Sequence, residues 1–126
     1  MYPAILPTDM KVQGLLDNTT QQMRKGILEL CILSIIADEG EAYPTDIINR
    51  LEASDMIVVQ GTLYPLLARL KSAGLLNYTW KESVAGPPRK YYSLTGDGRE
   101  FLDGLVGTWQ QLVTAVKNST KSLTAN

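Results

Sequence analysis

The hydrophobic pattern of this chain changes its period at Gly74, and this change limits the possible folds more than any other feature of the sequence. Before Gly74, leucines recur at helical spacing and predict a helix that opens at Gly61; they are Leu63, Leu66, Leu67 and Leu70. After Gly74, apolar and polar residues alternate from Leu76 to Lys81, which is typical of a strand. Residues 83–88 have the composition of a loop, and residues 89–94 are predicted to form a second strand. The pattern therefore predicts a helix followed by a β-hairpin.

Two more helices are predicted before this segment and one after it, over residues 19–39, 44–54 and 96–118. The first begins at Thr19, which fits a capping box with Gln22, and ends before a glycine that favours a left-handed cap. Pro44 suits the first turn of the second helix, where its missing amide does no harm. Thr95 is a favourable N-cap for the last helix.

The order of three helices, a strand, a loop and a strand is the plan of a winged helix-turn-helix, so the predicted fold class is mainly α (α+β). The 126 residues allow one domain with one extra element. We expect an N-terminal arm with one weak helical turn over residues 1–18, a winged helix-turn-helix domain over residues 19–95, and a long C-terminal helix with a tail over residues 96–126.

The residue types present exclude most kinds of catalytic site. The chain has no histidine and a single cysteine, which removes Ser-His and Cys-His catalysis, histidine-ligated metals and an intrachain disulfide. Carboxylates are scattered and no glycine loop suits a phosphate, so we expect neither an enzyme nor a cofactor or metal. Cys31 lies in an apolar helical stretch and is predicted to be a buried core residue. Because no apolar run approaches the ~20 residues of a membrane span and the start is not basic, we expect a cytoplasmic protein without a membrane partner.

The distribution of charge favours a nucleic-acid partner, although the net charge of −1 does not. Residues 60–93 contain five cations and one carboxylate, a net charge of +4, whereas the rest of the chain has seven cations and twelve carboxylates, a net charge of −5. A local basic surface is sufficient to contact phosphates. The basic third of the chain coincides with the predicted helix and hairpin.

In a winged helix-turn-helix the third helix enters the major groove of DNA, and the hairpin lies along the adjacent backbone or minor groove. The leucine stripe gives that helix a face to bury and leaves small, polar and aromatic groups on the other side. The helix residues predicted to contact bases or backbone are Gln60, Thr62, Tyr64 and Arg69. The cations predicted to contact phosphates are Lys71, Lys81, Arg89 and Lys90. When each of these residues is considered alone, its interpretation as an ordinary core or surface residue stays open.

Two long motifs resemble the PadR family of regulators. Residues 61–70 (GTLYPLLARL), followed by residues 74–76 (GLL), resemble its recognition helix and turn. Residues 86–95 (GPPRKYYSLT), followed by Gly98, resemble its wing and the entry to its last helix. The resemblance covers about residues 21–117 and includes the start of the second helix, residues 43–47. The chain departs from the family pattern in its longer N-terminal arm and in a proline, residue 87, where an arginine is frequent.

The resemblance implies a homodimeric repressor of transcription that dimerises through its C-terminal helix, often with the N-terminal helix as well. The apolar stripe of that helix is wider than a small domain needs, and a second chain is its simplest partner; the predicted dimerisation residues are Phe101, Leu105, Trp109, Leu112 and Val116. Half-sites of a palindromic operator would then lie about one DNA turn, ~34 Å, or a multiple apart.

A small aromatic effector is a further expectation, because some family members bind flat aromatic ligands beside a tryptophan in a place similar to Trp109. Ordinary interface core is the competing interpretation of Trp109. The alternative function from another class is a winged-helix module that binds a partner protein without DNA, since fold alone does not decide function. Such a module would need an apolar patch where this hairpin has Arg89 and Lys90.

Overall fold

The computed structural model describes residues 7–124. Its elements are α1 (Pro7–Glu39), α2 (Pro44–Ala53), α3 (Gln60–Ser72), β1 (Leu76–Ser83), β2 (Gly86–Leu94), α4 (Gly96–Ser119) and the short α5 (Lys121–Thr124). This order confirms the predicted mainly α winged helix with a long C-terminal helix. The predicted glycine stops are also confirmed, because Gly40 and Gly74 both have a φ of +80°, a conformation that glycine adopts without strain. Each helix of the described residues is too short or too polar to cross a membrane.

The predicted start of the first helix at Thr19 is wrong. α1 is one helix of 33 residues that begins at Pro7, so Thr19 and Gln22 lie in its interior. A capping box acts only where a helix begins, and the apolar spacing in residues 8–18 is compatible with continued helix. Pro7 suits the first turn, because it fixes φ and its missing amide is not needed there. The predicted arm is therefore helical from Pro7, and its first six residues lie outside the described part of the chain.

The core lies where the second half of α1 meets α2, α3 and the base of the hairpin. Its fully buried side chains are Ile32, Leu33, Ile36, Ile47, Leu51, Leu63, Leu67, Leu70 and Leu76. Burying one such side chain stabilises the fold by about 1.5–3 kcal/mol, so this set fixes the orientation of α3. Cys31, predicted to be buried, is only half-buried and packs against this core. Burial still raises the pKa of its thiol.

The hairpin is longer than the sequence predicted. β1 and β2 pair antiparallel, with Trp80 opposite Lys90 and Lys81 opposite Arg89. The predicted loop over residues 83–88 is wrong at residue 83, which belongs to β1, and at residues 86–88, which belong to β2. Prolines 87 and 88 are tolerated because the register shifts between residues 81 and 83, and a missing amide interrupts no regular ladder beside such an irregularity.

The start of α4 is fixed against the turn between α3 and β1. The predicted N-cap is confirmed, because the Thr95 hydroxyl oxygen accepts a hydrogen bond from the Gly98 amide at 2.9 Å. The same hydroxyl donates to the Gly74 carbonyl at 2.7 Å. A Cβ on Gly98 would collide with the Leu75 carbonyl oxygen, so glycine allows this close approach. α4 buries Leu102 against the core and continues outward with an exposed apolar stripe.

Candidate nucleic-acid interface

The outer face of α3 is open to solvent. The leucine stripe points into the core, while Gln60, Thr62 and Tyr64 are exposed, with 44% of the Tyr64 surface accessible. The first turn of α3 contains no acidic residue, so no carboxylate in that turn neutralises the positive end of the helix dipole. The described part of the chain therefore leaves Gln60, Thr62 and Tyr64 available, which are three of the four α3 side chains predicted to contact DNA.

A groove of about 350 Å³ separates α3 from the hairpin. Tyr64 lines it from α3, Pro44 from the start of α2, and Arg89 and Lys90 from β2. The structure thus brings Tyr64 and the two predicted wing cations onto one surface. Gln60, Thr62, Arg69, Lys71 and Lys81 do not line this groove.

The cations of the hairpin region stand over aromatic rings. The guanidinium of Arg89 lies 4.6 Å from the ring centroid of Tyr43, and the Nζ of Lys90 lies 4.4 Å from that of Tyr78. Lys90 is also 5.3 Å from the ring of Trp80, as is Lys71 from that of Tyr78, and Lys81 is 5.0 Å from that of Tyr91. Cation–π contacts of this kind stabilise exposed sites by about 0.5–1 kcal/mol and restrict the cation's movement.

Sequence reasoning missed Tyr43 and Trp80 as neighbours of these cations. The hairpin register could have indicated Trp80, because it lies directly opposite Lys90 and cross-strand pairs interact. Tyr43 could not be found in that way. It reaches Arg89 because Ala42 forms an antiparallel bridge with Tyr92, which brings the start of α2 beside β2.

Two of the predicted DNA cations are paired with carboxylates of the same chain. Arg69 of α3 lies 2.8 Å from Glu29 of α1. Lys81 of β1 is hydrogen-bonded to Glu41, and this bond raises the pKa of Lys81. Within residues 10–123, Lys71, Arg89 and Lys90 have no such ion pair, so their charges remain available to an external anion.

An exposed apolar surface runs along α4. The predicted dimerisation residues Phe101, Trp109, Leu112 and Val116 are exposed, and Leu105 is half-buried against the core. The first half of α1 exposes a second apolar set. Met10, Val12, Leu15 and Leu16 belong to the predicted N-terminal arm, and Met23 belongs to the predicted first helix. A stripe of exposed apolar side chains along one helix face, as on α4, is typical of an interaction surface. In the described residues, no group of three or more acidic or cysteine side chains could hold a metal ion.

The family model of the PadR-like transcriptional regulators matches residues 32–104, from the second half of α1 to the first turns of α4. The chain belongs to this family. PadR-like proteins are DNA-binding transcriptional regulators and not enzymes, which confirms these two expectations. The matched region contains α3, the hairpin and the groove between them.

Solved structures of PadR-like regulators resemble most of the described fold. A PadR-like transcription factor from Bacteroides fragilis is 52% identical, with a TM-score of 0.69 over 80% of this chain and 97% of that one. A PadR family regulator from Eggerthella lenta is 30% identical, with a TM-score of 0.76 over 93% of this chain and 99% of that one. An uncharacterised protein of Lysinibacillus sphaericus is 30% identical over 91 residues, which are 70% of this chain and 83% of that protein.

Proposed function

We propose that two copies of this chain bind a palindromic operator as a homodimer and repress transcription from it. The observation that carries the proposal is the groove between α3 and the hairpin, which is lined by Tyr64 on one side and by Arg89 and Lys90 on the other. A duplex that received α3 in its major groove would present the adjacent backbone to these cations.

The contacts divide into two classes. Gln60, Thr62 and Tyr64 are proposed to contact base edges or the nearby backbone, because they are exposed on α3. Lys71, Arg89 and Lys90 are proposed to contact phosphates. Arg69 and Lys81 are weaker candidates than the sequence suggested, because each must leave a carboxylate partner before it can bind a phosphate.

The proposed dimer buries the apolar stripe of α4 against a second copy. Trp109 is 42% exposed in the single chain, and its neighbours on the stripe are similarly accessible. Replacing Leu112 by Glu would place a charge in that interface, so we expect light scattering to change from the mass of a dimer to that of a monomer. A Gln111→Glu control, on the side of α4 away from Trp109, should remain dimeric. A Leu112→Glu chain that stays dimeric would remove the stripe from the interface.

The DNA-binding proposal is tested by selecting bound sequences from random duplex DNA and measuring affinity at several salt concentrations. We expect a palindromic consensus, and we expect the Arg89→Ala/Lys90→Ala chain to lose affinity with a salt slope reduced by about 0.9 for each phosphate contact removed. The matched control is Lys117→Ala/Lys121→Ala at the far end of α4 and in α5. Unchanged affinity and slope in the hairpin variant would refute the role of the wing.

A small aromatic effector beside Trp109 is also proposed, with release of operator DNA as its effect. Because Trp80 lies in the hairpin, Trp80→Phe leaves Trp109 as the remaining fluorophore of this type. We expect planar aromatic compounds to quench that signal and to lower operator affinity in parallel. Absence of both effects across a chemically broad panel would leave Trp109 as interface core.

The protein-binding alternative is less well supported by the hairpin surface. Trp80 and Val84 are exposed there, as an apolar patch requires. Lys90, however, stands over the Trp80 ring, and Arg89 is adjacent, so the surface is basic and aromatic. Cytoplasmic location stays a prediction.

A further inference from the structure

A second cleft lies on the other side of the α3 N-terminus. We call it the linker cleft, and its volume is about 410 Å³. It is lined by Gln21, Arg24, Lys25 and Leu28 of α1, by Ile57, Val58 and Val59 of the segment between α2 and α3, and by Thr62 of α3. No motif discussed above includes its α1 residues or its valines. Thr62, already proposed to contact DNA, makes this cleft continuous with the outer face of α3.

The segment before α3 presents apolar side chains to solvent in an unusual way. Val58 is buried, whereas Ile57 and Val59 on either side of it are 67% and 65% exposed. Val59 is also the N-cap of α3, where it makes no side-chain capping bond. Valine is among the least favourable residues at an N-cap, where serine, threonine or aspartate would satisfy an amide. A residue that serves the local fold poorly at an exposed position is expected to serve a contact instead.

Arg24 holds this segment in place. Its guanidinium donates a hydrogen bond to the Ile57 carbonyl oxygen at 2.8 Å and contacts the Met56 sulfur at 3.4 Å. The backbone at Val59 is extended, with a φ of −96° and a ψ of 159°. The segment that presents Val59 is therefore tied to α1 by a side-chain hydrogen bond.

The charge around the cleft is opposite in sign to that of the DNA backbone. Lys25 is exposed beside Arg24, and among the described residues no carboxylate lines the cleft. The first turn of α3 contains no acidic residue. An apolar side chain that shares a cleft with two cations, next to the helix proposed to enter the major groove, complements one feature of a duplex. Thymine carries a 5-methyl group on its major-groove edge, close to the anionic backbone, and apolar side chains contact it.

We propose that the linker cleft extends the DNA interface, with Val59 contacting the 5-methyl group of a thymine and Lys25 contacting a phosphate of the same strand. This inference rests on the proposed function, because it requires that α3 binds in the major groove. It assigns part of the sequence preference to a side chain outside α3.

The test uses a duplex selected by the wild-type chain, in which thymines of one half-site are replaced singly by deoxyuridine. This change removes one methyl group and leaves base pairing intact. At one position we expect wild-type affinity to fall about fourfold, the factor for exposing one buried methyl group. In Val59→Ala that factor should disappear. Val84→Ala is the matched control and should retain the fourfold factor. Val84 lies at the hairpin tip, which would lie along the DNA backbone or minor groove, and the minor groove displays no thymine methyl group.

Lys25 is tested by the salt dependence of binding to the same duplex. Lys25→Gln should reduce the slope by about 0.9 for each protomer, and Lys121→Gln should not change it. A deoxyuridine factor that is equal in wild type and Val59→Ala, or absent at every thymine, would overturn the proposal while DNA binding itself persists. A wild-type chain that binds no duplex would instead refute the proposed function.

Discussion

Gly61 lies in the first turn of α3, and the fold gives no reason for a glycine there. Its φ is not positive, and in the described residues no atom would lie within 4 Å of an added Cβ. Pro65, four residues later, has no amide to bond the Gly61 carbonyl, and the turn is closed by the Thr62 and Leu63 amides donating to Val59. A glycine with open space on an exposed face allows another molecule's backbone to approach closely.

Replacing Gly61 by Ala should therefore change stability and DNA binding in opposite directions. Alanine reduces the conformational entropy of the unfolded chain, so we expect the free energy of unfolding to rise by about 0.5–1 kcal/mol and Tm by about 2–4 °C. On DNA, the added methyl group must displace the helix or a bound group. A cost of about 1.4 kcal/mol would weaken binding about tenfold.

Thermal unfolding by circular dichroism and operator binding by fluorescence anisotropy measure the two effects on the same samples. Gly107→Ala is the matched control, because it also adds a Cβ in open space, on the side of α4 opposite Leu105 and Trp109. The control should gain stability without losing DNA affinity. A Gly61→Ala chain that is destabilised would show that the fold needs the glycine, and one that binds DNA like wild type would show that DNA does not approach this turn.

Three other perturbations test the charge pairs, the core and the buried tyrosine. Glu41→Gln removes the carboxylate partner of Lys81, so DNA affinity should rise and the salt slope should steepen by about 0.9 per protomer. Operator DNA titrations at several salt concentrations measure this, with Glu52→Gln as the control. An unchanged slope would show that Lys81 contacts no phosphate. Leu67→Ala leaves a cavity in the core and should lower the free energy of unfolding by about 2–5 kcal/mol in urea; a loss below about 1 kcal/mol would mean that the site collapses around the smaller residue. Burial raises the pKa of Tyr92, so its contribution to stability is complete below the ordinary tyrosine pKa of about 10 and is lost as the pH rises through the higher folded value. Urea midpoints between pH 8 and 11 should fall less steeply in Tyr92→Phe, and identical curves would contradict this account.

Much of the winged helix follows from local patterns. Leu63, Leu67 and Leu70 of α3 are buried as their spacing predicts, and Leu66 packs half-buried against the core. Thr95 caps α4, and Gly40 and Gly74 end their helices. Each of these features depends on residues within about one helical turn, so the sequence contains the whole interaction. The same locality explains the failure at Thr19, because a capping signal does not show whether the preceding residues are already helical.

The candidate DNA interface was only partly predictable. The exposure of Thr62 and Tyr64 follows from the helical period. Whether each cation is paired with a carboxylate does not. Lys81 meets Glu41 across 40 residues of sequence, and Arg24 reaches Ile57 across 33. Such pairs depend on how α1, the linker and the hairpin pack together.

The order of helices and strands, the glycines that end α1 and α3, and the apolar stripe of α3 were evident from the amino-acid pattern. Backbone propensity and hydrophobic period act between near neighbours. Tertiary packing decided the continuity of α1, the extension of the hairpin strands to residues 83 and 86–88, and which cations have no carboxylate partner. These properties depend on contacts between segments far apart in the chain, and no local spacing encodes such contacts.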